Sequence, residues 1–159
     1  MLTKSDLLRG VSDRIGSEQP GLSVLVVDDD TAITRLCRLT LERAGFRVET
    51  SNDSREALES IESNEYAAIL LDLQMPYMHG ATLLALIGRD RPEVLQRLIV
   101  MTALPEATLA DFRGRVAAVL CKPLSDGEIL QHVRRCIDPR TVVQEAGDVT
   151  AHVRRTPAT

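Results

Sequence analysis

The sequence predicts an α/β fold: a doubly wound, five-stranded parallel sheet in the order 2-1-3-4-5. Three observations lead there. Five short apolar runs recur between residues 22 and 137, without the polar alternation of a half-exposed strand, as strands covered on both faces do. Segments with apolar residues at helical spacing separate them, the pattern of strand–helix units. Four of the runs end in groups that carry chemistry: Asp28-Asp29-Asp30, Asp72, Thr102 and Lys122-Pro123. Right-handed crossovers leave few arrangements of such units, and the order 2-1-3-4-5 sets strands one and three side by side at the switch point, where ligands bind.

Each element has its own signal. Strand one, 23–28, holds Val24-Leu25-Val26-Val27. The first helix recurs through Ile33, Leu36, Cys37, Leu41 and Ala44, with Asp30 as N-cap and Gly45 at its exit. Strand two is the short 47–50. The second helix opens on Asp53-Ser54-Arg55-Glu56, a capping-box-like start, and buries Ala57, Leu58 and Ile61. Strand three is 67–72. The third helix follows Gly80, carries Leu83, Leu84 and Ile87, and stops before Pro92. Strand four is 97–102, and a short fourth helix is expected within 105–112, with Pro105 near its first turn. Strand five is 117–121. The fifth helix starts at Ser125-Asp126-Gly127-Glu128 and buries Ile129, Val133, Cys136 and Ile137.

The ends read differently. Residues 1–21 form an N-terminal extension in which Leu8, Val11 and Ile15 make a narrow apolar stripe on a short helix over 5–16, weakened by Gly10. Residues 138–159 show no sustained period and are expected to be a disordered tail. The body between, 22–137, is one domain.

Composition closes off several functions. A net charge of −4 gives no basic surface for nucleic acid, and the stretch beyond Asp138 is too short for a helix-turn-helix domain. No apolar run approaches the roughly 18 residues of a membrane span, and the first 20 residues lack a signal-peptide core, so a cytoplasmic protein is expected. Cys37, Cys121 and Cys136 are far apart and form no C-x-x-C pair, so they are expected to be buried apolar residues. His79, His132 and His152 form no ligand cluster.

The carboxyl ends of parallel strands share one edge, so the four terminal groups meet as a carboxylate cluster, a hydroxyl and an ammonium. That set suits one divalent cation and one phosphoryl group. Phosphoryl transfer is catalysed mostly by positioning and charge stabilisation. Magnesium is the natural ion for an open carboxylate site, since it takes one or two side-chain carboxylates and keeps waters. Asp72 is then the nucleophile, Asp29 a direct magnesium ligand, and Asp28 a ligand directly or through water. The backbone carbonyl of Gln74 completes the shell. Lys122 neutralises one phosphoryl oxygen as a point charge, and Thr102 donates a hydrogen bond to another.

The segments Val26-Val27-Asp28-Asp29-Asp30, Asp72 to Gly80, Thr102-Ala103 and Lys122-Pro123 resemble those of response-regulator receiver domains of two-component signalling, over about residues 23–137. The resemblance, closest in kind to the single-domain chemotaxis regulators, implies a flavodoxin-like (βα)5 fold. It implies that Asp72 accepts phosphate from a histidine kinase or a histidine phosphotransfer protein, that Asp28, Asp29 and Asp72 hold Mg2+ and that the Lys122-Pro123 bond is cis. The domain then signals by contact with a downstream protein that the sequence does not name, or within a homodimer, and is not an enzyme beyond its own phosphorylation and dephosphorylation.

Two departures from the family bear on output. Three positions before the lysine, where the family usually carries an aromatic ring, stands Val119, which cannot swing between buried and exposed states. The stretch from Thr102 to Lys122 is also short, which points to a reduced fourth helix. Two other functions compete: a degenerate receiver serving as a scaffold, and a haloacid-dehalogenase-type phosphatase, for which Asp28-x-Asp30 fits superficially but Ala32 does not.

Overall fold

The computed structural model describes residues 21–76, 78–105 and 109–138. Its elements run in the order β1 (Ser23–Val27), α1 (Thr31–Arg43), β2 (Arg47–Ser51), α2 (Ser54–Ser63), β3 (Ala68–Asp72), α3 (Gly80–Asp90), a 3-10 helix (Pro92–Arg97), β4 (Leu98–Thr102), β5 (Ala118–Cys121) and α4 (Asp126–Ile137). The strands form one parallel sheet in the order β2-β1-β3-β4-β5, the predicted topology.

Strand alternation divides the core into two layers. Leu25, Val27, Ile69, Leu71, Leu98 and Val100 pack against Ala57 and Ile61 of α2 and Leu83, Leu84 and Ile87 of α3. On the other face Val24, Val26, Leu70, Ile99, Met101 and Leu120 meet Cys37 and Leu41 of α1 and Ile129 and Val133 of α4. Both faces are therefore apolar along every central strand, which is why the runs read as continuous hydrophobic stretches.

The helix starts follow from local hydrogen bonding. Asp30 caps α1 through the N–H of Ala32, which donates to its Oδ1 at 2.8 Å. Ser125 and Glu128 form a full capping box on α4. At α2 only half of that motif is present. Asp53 accepts from the N–H groups of Arg55 and Glu56, but its own N–H donates to Ser51 Oγ rather than to Glu56. Gly45, at φ 90°, supplies the left-handed turn between α1 and β2.

Two expectations need correction, and one falls partly outside the described residues. Residues 92–97, expected as connection and strand start, form a 3-10 helix with Pro92 in its first turn and Val94 buried beneath it. The fourth helix expected within 105–112 lies partly outside the described residues, and Leu109, where they resume, is in 3-10 conformation. Residues 106–108 lie outside them, and Leu109 begins a run of turns in which its carbonyl accepts from the N–H groups of both Phe112 and Arg113. Gly114, at φ 80°, sits in those turns, before Arg115 and Val116 lead into β5. Cys121, expected to be buried, is exposed. Alternation puts it on the same face as Val119, at the end of the outer strand. The expected N-terminal helix over 5–16, the tail 139–159 and His152 lie outside the described residues.

The cysteines consequently differ in reactivity. Burial, and then the charge of Asp28, pushes the Cys37 thiol up to about 12, and burial pushes Cys136 up to about 11. Since the thiolate is the nucleophile, Cys121 is expected to take a maleimide or disulfide reagent first at neutral pH, Cys136 next, and Cys37 only on unfolding. Peptide mapping of the alkylated protein over time checks the order.

Candidate functional site

The carboxyl edge of the sheet assembles the site one loop at a time. Asp28 stands one residue past β1, where its N–H donates to the carbonyl of Ser51 at 3.1 Å and so extends the pairing with β2. Its Oδ1 accepts from the N–H of Asp30 at 2.9 Å, a turn that leaves Asp29 exposed at the tip. Asp72 is the last residue of β3, and its Oδ1 accepts from the N–H of Gln74 at 3.1 Å. Asp28 and Asp72 are only 1% and 2% exposed, a costly place for two carboxylates without a cation.

Lys122 supplies one. Its Nζ lies 2.8 Å from Asp28 Oδ2 and 3.3 Å from Asp72 Oδ2, so a single ammonium bridges the ends of β1 and β3 from the end of β5. Its backbone N–H donates to the carbonyl of Thr102 at 2.8 Å, and the Lys122-Pro123 bond is cis. Burial acts against the ammonium, but the hydrogen bond to Asp28 and the charges of Asp28 and Asp72 outweigh it and hold Lys122 above the usual lysine range. The ammonium is thus charged at any physiological pH. For Asp28 burial dominates and raises the carboxyl, against the hydrogen bonds from Lys122 and the Asp30 N–H that favour the carboxylate.

Thr102 closes β4, fully buried, with its Oγ1 accepting from the N–H of Leu104 at 3.0 Å. That contact uses a lone pair and leaves the hydroxyl proton for another acceptor. The predicted set is therefore placed on one edge, with Asp28, Asp72 and Lys122 in direct contact. Gln74 is exposed, held to Asp72 through its N–H. Asp30 is a helix cap. Met75 and Met78 pack into the core beneath the loop, as expected of them.

Sequence reasoning missed one participant. A Cβ built on Gly80 would lie 2.1 Å from the Asp72 carbonyl oxygen and 2.7 Å from Leu73 Cα. The first turn of α3 therefore presses against the backbone that carries Asp72, and only glycine allows the approach. A glycine eight residues beyond the aspartate was visible, but a close approach across a loop has no local signal. Ser54, whose Oγ donates to the Met78 carbonyl at 2.8 Å, pins the same loop from α2.

Oxygens of Asp28, Asp29 and Asp72 all lie within 4.8 Å of one another. With three carboxylates and one ammonium the cluster carries excess negative charge, and its donors are hard oxygens without sulfur or imidazole. These residues fit a magnesium ion. A model of the response regulator receiver domain matches residues 24–134. The chain belongs to that family. The transcriptional regulatory protein SrrA of Staphylococcus aureus is 33% identical over 113 residues, which are 70% of this chain and 46% of SrrA, so the chain spans about half the length of the curated relatives it matches. The receiver domain of Francisella response regulator 1452 superposes with a TM-score of 0.68 at 29% identity, covering 76% of this chain and 98% of that one. The chemotaxis response regulator CheY4 of Vibrio cholerae does so with a TM-score of 0.65 at 26% identity, covering 72% and 98%.

As a receiver domain of two-component response regulators, the chain is a signalling module rather than an enzyme in the ordinary sense, and the phosphatase reading falls away. Receiver domains of this family bind Mg2+ at an acidic cluster and interact with histidine kinases or phosphotransfer proteins, and this chain carries an aspartate cluster. No helix among the described residues is long and apolar enough to cross a membrane.

Proposed function

We propose that Asp72 is the phosphoacceptor of this receiver, taking a phosphoryl group from a phosphohistidine on a histidine kinase or histidine phosphotransfer protein. The observation that carries this is the ammonium of Lys122 set between Asp28 and Asp72 at the switch point between β1 and β3. Asp72 Oδ2 attacks phosphorus; the phosphorus–nitrogen bond to the donor histidine breaks, and the imidazole leaves with the bonding pair. Gln74 N–H holds Asp72 Oδ1, which leaves Oδ2, in contact with the Lys122 ammonium, as the nucleophile. Lys122 shifts from Asp72 to a phosphoryl oxygen, and Thr102 donates its hydroxyl proton to a second. Bound Mg2+ supplies charge neutralisation that lets a dianionic group approach the carboxylates. Asp28, Asp29 and Asp72, with the backbone carbonyl of Gln74, are the groups that hold it.

The domain that does this is residues 22–137, with 1–21 and 138–159 as extensions. The chain works in the cytoplasm and reports by contact with another protein. With Val119 packed against the α2–α3 side of the core in place of a ring, the report does not pass through an aromatic rotamer.

The test is phosphorylation by acetyl phosphate, followed by intact mass. One phosphate is expected with Mg2+ and none with excess chelator, and Asp29→Ala is expected to slow labelling severely while leaving the fold intact, since Asp29 is exposed. Labelling that is indifferent to chelator refutes the reading.

The phosphorylated form is expected to be long-lived. Leu104 is held just beyond Thr102 by its N–H bond to Thr102 Oγ1 and is partly buried against the core. It flanks the in-line path of a hydrolytic water but offers no hydrogen bond to orient it. Leu104→Glu and Leu104→Lys are expected to speed phosphate release several-fold, measured as loss of the labelled mass after the donor is removed. Unchanged rates in both variants mean that Leu104 does not gate the water.

A further inference from the structure

At the opposite end of the strands from the carboxylate cluster, a cavity of about 400 Å3 opens between the 3-10 helix, the start of β5 and the second half of α4. Gln96 and Arg97 enter it from the 3-10 helix, and His132, Arg135 and Cys136 from α4, above Ala118. No carboxylate lines it. Arg97 donates to the Tyr66 carbonyl at 3.0 Å and reaches the exposed Glu65 carboxylate at 3.4 Å. Arg135 has no ion-pair partner among the described residues. His132 Nδ1 is buried without a hydrogen-bond partner, which is true of no other buried side-chain nitrogen or oxygen among the described residues. A buried polar atom left unbonded is costly.

We propose that this cavity is a binding site for a small oxyanion, a phosphate or carboxylate group held between the guanidinium groups of Arg97 and Arg135 and the imidazole of His132. The volume falls within the roughly 300–1,000 Å3 of small-ligand sites. Guanidinium forks match paired oxygens of either group. Arg135 stands in the last turn of α4, where the partial negative charge of the helix end is about half a unit, less than the full charge of its guanidinium. Burial, and then the charge of Arg135, holds His132 below the usual histidine range, against the opposing pull of Glu128, so the ring is neutral at pH 7. The cavity shares no residue with the phosphorylation site, and its occupation does not depend on Asp72.

The experiment titrates the full chain, without magnesium, with inorganic phosphate and separately with succinate, at constant ionic strength set by chloride. The readout is the pair of ring nitrogens of His132 in a proton–nitrogen correlation spectrum. Either anion should produce a saturable shift and raise the histidine pKa, because a negative charge offsets that of Arg135 and adds to that of Glu128. His79 should not move. Arg135→Gln should weaken binding about tenfold or more, the loss of one charge-assisted contact. If that variant loses its circular dichroism spectrum, Arg97→Gln replaces it with the same expected loss. Saturation by one probe alone identifies whether the site selects phosphate or carboxylate. A shift that does not saturate with either, or an affinity unchanged in the folded variant, overturns the proposal.

Discussion

Asp72→Asn is expected to abolish labelling by acetyl phosphate, with no added mass under conditions that put one phosphate on the parent. An amide is nearly the shape of a carboxylate, so its oxygen can still accept from the Gln74 N–H that now holds Asp72 Oδ1 at 3.1 Å. What disappears is the nucleophile. The Lys122 contact to position 72 at 3.3 Å also weakens, while the closer one to Asp28 at 2.8 Å remains. The variant should therefore fold as well as the parent or better, since a buried negative charge leaves a cluster that has too many. Thermal unfolding separates the two outcomes. A variant that keeps its melting temperature and loses its phosphate supports Asp72 as acceptor; a folded variant that is still labelled places the acceptor elsewhere.

Gly80→Ala is expected to destabilise the fold by roughly 1–3 kcal/mol or more, the range for forcing volume into a packed site. The direction is the informative part. On an open helix face, alanine for glycine stabilises by up to about 1 kcal/mol. Gly88, in the same helix α3, provides that case: a Cβ there would meet only Leu95 Cδ1, at an ordinary 3.6 Å. At Gly80 the added carbon meets the Asp72 carbonyl oxygen at 2.1 Å, a backbone atom that cannot turn aside. The strain falls on the residue that carries the acceptor carboxylate, so Gly80→Ala should also slow phosphorylation, and Gly88→Ala should not. Urea unfolding of both variants checks the opposite signs.

Much of this was legible in the chain. Strands buried on both faces cannot alternate, so Val24 to Val27, Ala68 to Leu71 and Leu98 to Met101 announce themselves as continuous runs, and the residue after each is fixed at the carboxyl edge. That is why Asp28, Asp72, Thr102 and Lys122 were readable as one site before any coordinate. What escaped depends on contacts between segments. The approach of Gly80 to Asp72 crosses a loop. The 3-10 helix after Pro92 differs from a strand lead-in only by a few hydrogen bonds. The half-made capping box at Asp53 depends on Ser51 competing for its N–H. Cys121 looked like a core residue because periodicity shows which face a side chain takes, but not whether anything covers that face.

The edge position of β5 has a dynamic consequence. β5 is an outer strand of four residues, paired to β4, with Cys121 exposed at its end. A short strand paired on one side is held by fewer contacts than a central one and opens at a lower free energy. Lys122 is attached to the end of this strand, so each excursion of β5 carries the ammonium in contact with Asp28 and Asp72 away from the two carboxylates. Its attachment to the sheet and its hold on the site are one equilibrium. A phosphoryl group on Asp72 binds Lys122 only when the strand is closed, and by mass action it favours that closed population. Chemistry at the end of β3 is thereby converted into rigidity at the far edge of the sheet, a signal carried by the frequency of opening without a change in the mean fold.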